Sequence, residues 1–274
     1  AVAAFVGGRR LSRGPGGEAV YEERRVAVVA PPSEKRIELG VEWPQAPLPA
    51  EGEPDAASAR YAAIVPAICS RIDATRGVLV FAEARRRAER LAFLINEAKG
   101  EGTAWAHHGS LSKEVRQAVE ARFKAGELDC VVATASLELG IDVGSVEEVL
   151  LAGSPNSVSS ALQRVGRSGH GVGEASRGRL YPFNGMDLVL AAAVAKGCAE
   201  RAVEELRPPS CPLDVLAQAL LELTLEPELT LEPVRTPAPG EESPDDGRWT
   251  VDALYDTVRS FPPFRLLARG LFDS

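Results

Sequence analysis

Short apolar runs alternate with amphipathic helical patterns between Gly77 and Phe183, and this alternation limits the possible folds more than any other feature of the sequence. The run GVLVF at 77–81 has the length and continuous hydrophobicity of a strand buried on both faces. Further strands are predicted at 103–107, 128–134 and 147–151. Apolar residues at helical spacing predict the intervening helices at 84–97, 113–123 and 157–165. This order is typical of βαβ units, so the chain is predicted to be an α/β protein with a parallel sheet.

The segments on either side of this alternation predict two smaller regions. The first contains a short helix closed by Gly7-Gly8, β-like stretches at 19–29 and 35–41, and a Pro/Glu/Ala-rich linker at 43–54. The last contains predicted helices at 186–205, 213–223 and 249–264, the final one ending at Pro262-Pro263. An acidic stretch at 226–247 separates the last two helices, and we expect it to be mobile. The predicted regions are therefore 1–60, 61–185 and 186–274.

The net charge of −8 at pH 7 is unevenly distributed along the chain. Residues 226–246 contain seven acidic residues and one arginine, a local charge of −6. Residues 161–180 contain four arginines and one glutamate, a local charge of +3. Because the basic region coincides with the most strongly patterned motif, the overall acidity does not exclude a polyanionic partner.

The cysteines and the apolar runs argue against a zinc protein, a secreted protein and a membrane protein. The cysteines form no CxxC pair, so we interpret them as reduced thiols rather than zinc ligands. No apolar run approaches the length of a membrane span, and the N-terminus lacks the layout of a signal peptide. These features predict a cytoplasmic protein with no membrane partner.

Three polar clusters follow the predicted strands, and ligands of parallel α/β sheets bind beyond the carboxyl ends of the strands. The cluster HHGSLS, 107–112, offers backbone N–H groups and hydroxyls to an anion and ends on Ser112, a candidate N-cap. The cluster ATASLELGIDVG, 133–144, begins with Thr134 at a strand tip, where its hydroxyl and the following amides could hold a backbone phosphate. The cluster QRVGRSGH, 163–170, places two arginines three residues apart on one predicted helix face. Two guanidiniums there could meet the charge that builds on a transferred phosphoryl group.

Each cluster also has an ordinary structural interpretation. A pair of arginines on a helix is usually a solvated face, and a His-His-Gly turn is usually only a turn. Three such clusters in this order, separated by βα units, are harder to attribute to chance.

The clusters resemble a known set of motifs. The segments VLVFAEARRRAERL, HHGSLS, ATASLELGIDVG and QRVGRSGH resemble, in order and spacing, motifs IV to VI of superfamily 2 helicases. The sequences ELGID and QRVGRSGH are similar to the corresponding motifs of the large helicase-related (Lhr) family of DNA-repair helicases. The strong resemblance covers 77–183. It implies a RecA-like parallel sheet with helices on both faces, the second motor domain of a helicase, followed by a partial helical segment that begins a winged-helix domain.

The resemblance implies roles for residues that match the motifs. Motif V positions that contact ATP correspond to Gly140 and Asp142. Nucleic-acid contacts correspond to Arg85, His108, Gly109, Thr134 and Ser136. The catalytic set of motif VI corresponds to Gln163, Arg164 and Arg167, with Arg167 as the candidate arginine finger.

Two positions depart from the pattern of these helicases. Glu83 and Ala84 replace the Asn and the Ser or Thr that are usual in motif IV, which puts part of the strand contact in question. His170 stands where the wider superfamily often has a second arginine, so Arg164 could share that work.

Two motifs of a complete helicase active site do not occur in these 274 residues. No lysine follows a glycine, so there is no GKT or GKS phosphate loop, and no aspartate precedes a glutamate, so there is no DExH box. The resemblance implies that a first motor domain, expected before residue 1, supplies both motifs and holds Mg²⁺. The chain is therefore expected to be inactive towards ATP by itself.

The leading hypothesis is the second motor domain of an ATP-dependent helicase that moves 3′→5′ on single-stranded DNA, or that acts on an RNA–DNA hybrid. A nucleic-acid-binding module derived from a helicase, without catalysis, is the alternative from a different class. A dinucleotide-binding α/β enzyme is a third, and it is disfavoured because no GxGxxG follows a strand.

Overall fold

The described part of the chain forms two compact units. The computed structural model describes residues 2–29, 36–45, 56–138, 144, 146–169, 174–205, 207–225 and 249–274. One unit comprises 32–204, and the other joins 1–31 to 205–274. None of the helices in the described ranges is both long enough and apolar enough to cross a membrane.

The larger unit is built on a six-stranded sheet in which all neighbouring strands are parallel. Its strands are β3 (Ile37–Val41), β4 (Val78–Ala82), β5 (Ala104–His107), β6 (Cys130–Ala133), β7 (Glu148–Ala152) and β8 (Ser176–Tyr181). Their order in the sheet is β3-β8-β7-β4-β6-β5. The four strands predicted at 77–81, 103–107, 128–134 and 147–151 are present and β8 completes the sheet, which confirms the parallel α/β fold.

Helices cover both faces of this sheet. They are α2 (Ala56–Ala74), α3 (Arg85–Lys99), α4 (Lys113–Lys124), α5 (Val158–Val165) and α6 (Gly185–Glu200). Alternate residues of β4 face two separate cores because successive side chains of a strand point to opposite faces. Val78 and Val80 pack in the core formed with α2 and α3, whereas Leu79 and Phe81 pack in the core formed with α4, α5 and α6. The predicted arrangement of helices on both faces is confirmed.

The helix ends follow ordinary capping chemistry. Ser112 accepts a hydrogen bond from the Val115 N–H at 3.4 Å, so the predicted N-cap of α4 is confirmed. Ser157 accepts from the Ser160 N–H at 3.0 Å and caps α5 in the same way. These caps fix where α4 and α5 begin after the loops that carry the polar clusters.

A buried ion-pair network joins two strands to a helix at the amino end of the sheet. Glu148, the first residue of β7, has only 3% of its side chain exposed. One carboxylate oxygen accepts from Arg71 Nε of α2 at 2.7 Å, and the other accepts from Arg179 Nε of β8 at 2.8 Å. The positive charges of the two arginines therefore compensate the negative charge of the buried carboxylate.

The structure differs from the sequence prediction in two elements of the larger unit. No element was assigned between the predicted linker and Arg76, yet α2 occupies 56–74 and contributes Ile64 and Ile68 to the core. The strand predicted at 35–41 is present as β3, but it pairs with β8 in the main sheet rather than belonging to a separate lead-in region.

The smaller unit consists of a hairpin and short helices. Its elements are α1 (Val2–Gly7), β1 (Arg9–Arg13), β2 (Ala19–Glu23), α7 (Leu213–Leu225), α8 (Val251–Ser260) and α9 (Arg269–Phe272). β1 and β2 pair antiparallel, and β2 ends at Glu23, earlier than the β-like stretch predicted to 29. Leu216, Val258, Phe264 and Leu267 form the core of this unit. The acidic stretch 226–247 lies outside the described residues, and the winged-helix assignment stays a prediction.

Candidate functional site

The carboxyl ends of β4, β5 and β6 bring most of the predicted nucleic-acid contacts together. Arg85, just beyond β4, donates a hydrogen bond from Nη1 to the Ser110 hydroxyl in the loop after β5. The Thr134 N–H, just beyond β6, donates to the His107 carbonyl oxygen at 3.1 Å. Thr134 and His107 lie at the ends of neighbouring strands, and Arg85 reaches Ser110 across the end of β6, which lies between β4 and β5 in the sheet. We name Arg85, His108, Gly109, Thr134 and Ser136 the strand-contact group.

Gly109 and His108 differ in their access to a ligand. Gly109 is exposed, and a Cβ added to it would have no heavy atom within 4 Å. His108 is buried, and its Nε2 lies 3.0 Å from the Glu89 carboxylate of α3. In this conformation the surface of the loop is formed by Gly109 and Ser110, and the His108 ring lies beneath them.

His107 was not among the predicted site residues, yet it joins the strand-contact group to the core. Its side chain is fully buried. Nδ1 lies 2.9 Å from the Ser136 hydroxyl, and Nε2 lies 2.8 Å from the Glu120 carboxylate of α4. Burial lowers the pKa of His107 below its ordinary value, with Glu120 acting in the opposite direction.

The two arginines of the third cluster converge on Glu138. Arg164, in the last turn of α5, places its Nε 3.1 Å from the Glu138 carboxylate, and the Ser160 hydroxyl donates to the same carboxylate at 2.9 Å. Arg167 Nη2 donates to the Glu138 main-chain carbonyl oxygen at 2.5 Å. We name Glu138, Arg164 and Arg167 the arginine group.

The expectation that both arginines lie on one helix face was wrong. Helix α5 ends at Val165, and the Arg167 N–H donates to the Arg164 carbonyl in the turn that follows. The two guanidiniums nevertheless meet at Glu138, because Arg164 binds its carboxylate and Arg167 its main-chain oxygen.

The start of α5 is held by an acidic side chain from beyond α6. The Glu204 carboxylate accepts from the Val158 N–H at 2.6 Å and from the Ser159 N–H at 3.1 Å. These backbone hydrogen bonds lower the pKa of Glu204, because they favour the ionised form. Free N–H groups at a helix start are satisfied in this way, so the amino end of α5 is fixed.

The loop after Arg167 is anchored to β8 and to the segment before β7. The Ser168 hydroxyl oxygen accepts from the Arg177 N–H at 2.8 Å. The Gly169 N–H donates to the Val146 carbonyl at 3.2 Å. Gly169 has a φ of 67°, and an added Cβ would lie 2.5 Å from the Ala175 carbonyl oxygen, so only glycine fits.

A single 3-10 turn, Ala135–Leu137, connects the two groups. It begins after Thr134, contains Ser136 and is followed by Glu138. Leu137 is buried in the core, which fixes the turn to the sheet. The strand-contact group therefore meets the beginning of this turn and the arginine group meets its end.

Comparison with known proteins identifies a family match and several similar proteins. Residues 61–171 match the helicase conserved C-terminal domain. The chain is 36% identical over 284 aligned residues to the "Lhr helicase/ probable uracil glycosylase" of Mycolicibacterium smegmatis, which covers 90% of this chain and 17% of that protein. It is 43% identical over 199 residues to "ATP-dependent helicase Lhr-Core protein 2" of Thermococcus barophilus, which covers 72% of this chain and 21% of that protein.

A solved structure of Mycobacterium smegmatis helicase Lhr bound to ssDNA and AMP-PNP matches 99% of this chain with a TM-score of 0.75 and 38% identity. The match covers 31% of that chain. The chain is a homologue of the Lhr helicases and carries a helicase conserved C-terminal domain. The predicted resemblance to the Lhr helicases and the predicted RecA-like fold are confirmed.

The chain spans about a fifth of the length of the curated relatives named here. The activity, substrates and partners of a whole protein are therefore taken up below as proposals.

Several predicted site residues of the Lhr-type domain could not be placed in either group. Gly140, Asp142 and His170 lie outside the described residues. Gln163 lies on α5 one residue before Arg164, and its side chain is exposed. The predicted ATP contacts of Gly140 and Asp142 thus stay predictions.

Among the residues that the structure describes, no cluster of three or more His, Cys, Asp or Glu could hold a metal ion. The cysteines within these ranges are free thiols. The donors that this domain offers to a phosphate are instead guanidiniums, hydroxyls and backbone N–H groups, which suit an anion rather than a cation.

Proposed function

We propose that this chain is the second motor domain of an ATP-dependent Lhr-type helicase that moves 3′→5′ on single-stranded DNA or an RNA–DNA hybrid and serves DNA repair in the cytoplasm. The observation that carries the proposal is the 3-10 turn with predicted strand contacts at its start and two arginines at its end. The names of the relatives, and the bound ssDNA and AMP-PNP of the Mycobacterium smegmatis Lhr structure, support the same assignment.

The strand-contact group would hold the sugar–phosphate backbone. Arg85 is exposed and supplies positive charge, while the exposed backbone at Gly109 and the Thr134 hydroxyl supply neutral donors. Contacts of this kind position a strand without reading its sequence, because phosphates are the same at every nucleotide. Ser136 belongs to the same group and lies in the 3-10 turn that follows Thr134.

The arginine group would act on ATP bound between this domain and a first motor domain of the same protein. Arg164 is held by the Glu138 carboxylate, and moving it to a phosphate would leave that carboxylate without its cation. Arg167 binds the neutral Glu138 carbonyl oxygen. The resemblance to motif VI makes Arg167 the candidate arginine finger, and the ion pair with Glu138 means that Arg164 also holds the turn.

Other parts of the proposed site come from the resemblance to the family. Gly140 and Asp142 would contact ATP, and Gln163 would complete the catalytic set with Arg164 and Arg167. Mg²⁺ would be held mainly by the first motor domain, since no phosphate loop or DExH box occurs in these 274 residues. Residues after 185 would begin a winged-helix domain.

Substitution of Arg167 in the whole helicase tests the proposal. Arg167→Ala should lower the DNA-stimulated ATPase rate by roughly 10³-fold or more, the scale seen for arginine fingers. ATP and DNA binding should change little, because the guanidinium meets charge that develops in the transition state. Arg167→Lys should restore little activity, since an ammonium lacks the planar two-point geometry.

The control is Arg177→Ala, which removes an exposed arginine of β8 whose side chain is 67% exposed. It should leave the ATPase rate unchanged. If Arg167→Ala melts early and loses ATP binding, DNA binding and turnover in parallel, Arg167 supports the fold through Glu138 and is not the finger.

A nucleic-acid-binding module without catalysis is the second candidate, because the strand-contact group lies within this chain. Both candidates give a 274-residue chain that shows no ATPase activity by itself. They differ for the whole protein: DNA-stimulated ATP turnover supports the helicase, whereas DNA binding without turnover supports the module.

A further inference from the structure

We propose that His107 is a positioning residue that fixes the hydroxyl of Ser136 and thereby the 3-10 turn on which the strand contacts depend. This inference rests on the proposed function, because it assigns a task within the same nucleic-acid site. His107 touches no ligand in this account, and it acts only through Ser136 and Thr134.

His107 is placed where three elements meet. It ends β5, its Nε2 lies 2.8 Å from Glu120 of α4, and its Nδ1 lies 2.9 Å from Ser136 of the turn. Its carbonyl oxygen accepts from the Thr134 N–H. A fully buried imidazole without partners would destabilise the fold, and both of its nitrogens have a partner. One residue thus determines the position of both polar residues at the start of the turn.

Counting hydrogens assigns a direction to the bond between His107 and Ser136. A carboxylate only accepts hydrogen bonds, so the Nε2 that faces Glu120 carries the hydrogen. Nδ1 of the neutral ring is then an acceptor, and the single hydrogen of the Ser136 hydroxyl points to it. Ser136 therefore has no hydrogen left for a phosphate. It anchors the turn, while the Thr134 hydroxyl, whose hydrogen bond to the Ser136 oxygen is long at 3.5 Å, and the backbone N–H groups remain as donors to a strand.

The charges around His107 favour this neutral form. Burial is the largest influence and lowers the pKa, and Arg116 of α4 and the adjacent His108 lower it further. Glu120 raises it. A protonated ring would place a hydrogen on Nδ1 and turn the Ser136 hydrogen towards the His107 carbonyl oxygen, 3.1 Å away. The neutral ring leaves that oxygen to Thr134.

A double-mutant cycle on the full 274-residue chain tests the inference, with fluorescent oligothymidylate as the probe. His107→Gln keeps a donor that can reach Glu120 and removes the acceptor at the Nδ1 position. Ser136→Ala removes the hydroxyl and nothing else. Each single variant should raise the Kd by about 3- to 10-fold, the effect of losing one hydrogen bond. The double variant should raise it no further, because both changes break the same bond.

His107→Asn is the conservative variant of this series. Its side-chain amide can offer an acceptor near the Nδ1 position while it no longer reaches Glu120. The Kd should therefore stay closer to that of the wild type than the Kd of His107→Gln does.

Val119→Ala is the matched control for loss of stability. Val119 is buried on α4 beside Glu120, and its side chain carries no polar group. This variant should lower the melting temperature and leave the Kd unchanged.

The possible outcomes separate the inference from the proposed function. If the wild type binds and the effects of His107→Gln and Ser136→Ala on the Kd are additive, the role of His107 is overturned and the proposed function stands. If Val119→Ala raises the Kd as much as His107→Gln does, the role of His107 is also overturned and the proposed function stands. A wild-type chain that does not bind oligothymidylate overturns both.

Discussion

The two histidines at the end of β5 have different surroundings, although they are adjacent in the sequence. His107 is buried between Glu120 and Ser136, whereas His108 lies against Glu89, whose side chain is 60% exposed. The resemblance to helicases assigned a role to His108 alone. In the structure His107 has the larger number of polar partners and is the one that joins the turn.

The buried state of His107 predicts how stability depends on pH. Its pKa in the folded protein is lowered from 6.5, so below that value the unfolded chain binds more protons than the folded chain. The stability that the neutral His107 ring contributes is fully present above pH 6.5, and it is lost as the pH falls from there through the lowered pKa. The free energy of unfolding of the wild type should therefore decrease over this window more steeply than that of His107→Gln. Urea unfolding of both proteins across the window measures the difference, and parallel curves would contradict the prediction.

The residue types at the site could be predicted from the sequence, but their pairing could not. The motif ELGID was recognised without a role for Glu138, because the sequence does not show that Arg164 and Arg167 return to it. These contacts depend on the fold bringing α5 back beside the turn after β6. The contact between Arg85 and Ser110 follows more directly, since each residue lies just after one of two strands that are consecutive along the chain.

Elements with a strong local pattern were predicted well, and those that depend on distant partners were not. Helix α3 buries Ala88, Leu91 and Ile95 at helical spacing, which is visible in the sequence. Helix α2 contains Pro66, which lacks a backbone N–H and argues against a helix. Packing of its apolar face on the sheet overrides that local preference. β3 has the pattern of a strand, but its pairing with β8 spans most of the unit and leaves no local signal.

The loop between α5 and β8 gives a prediction about glycine. Gly169 and Gly126 have similar φ values of 67° and 73°, but only Gly169 has backbone atoms within reach of an added Cβ. Gly126→Ala should cost about 1–2 kcal/mol for the left-handed conformation. Gly169→Ala should cost about 1–3 kcal/mol more, because the Ala175 carbonyl must move.

Chemical unfolding of the two alanine variants in the 274-residue chain measures this difference. Gly126→Ala is the matched control because it carries the same backbone strain in open space. Equal losses of stability in the two variants would show that the Gly169 loop moves freely to make room for a methyl group.

At the scale of the whole molecule, the chain combines an overall negative charge with a site proposed to bind a polyanion. Only a few phosphate contacts are available in the strand-contact group, so we expect weak binding of single-stranded DNA with little sequence preference. Affinity should fall by roughly 3- to 20-fold for a fourfold rise in salt, as for about one to three phosphate contacts. Fluorescence anisotropy with oligonucleotides of different sequence measures both properties.

The joint substitution of Arg85, His108 and Thr134 by alanine should weaken this binding and flatten its dependence on salt. Arg76→Ala is the matched control, since Arg76 is exposed just before β4, at the opposite end of the strand from Arg85. Affinity that is unchanged between low and high salt would argue against binding through phosphates. Affinity indifferent to the joint substitution would place the binding surface elsewhere.

The pairing of β3 with β8 has a mechanical consequence. These are the first and last strands of the larger unit along the described chain, and they run parallel from Ile37 beside Ser176 to Val41 beside Leu180. Tension applied between the amino end of β3 and the carboxyl end of β8 would slide one strand along the other. The hydrogen bonds of the ladder would then resist the load together rather than open one after another. A domain with the motor role proposed above would pass force between its neighbours, and it would gain from carrying that force in shear.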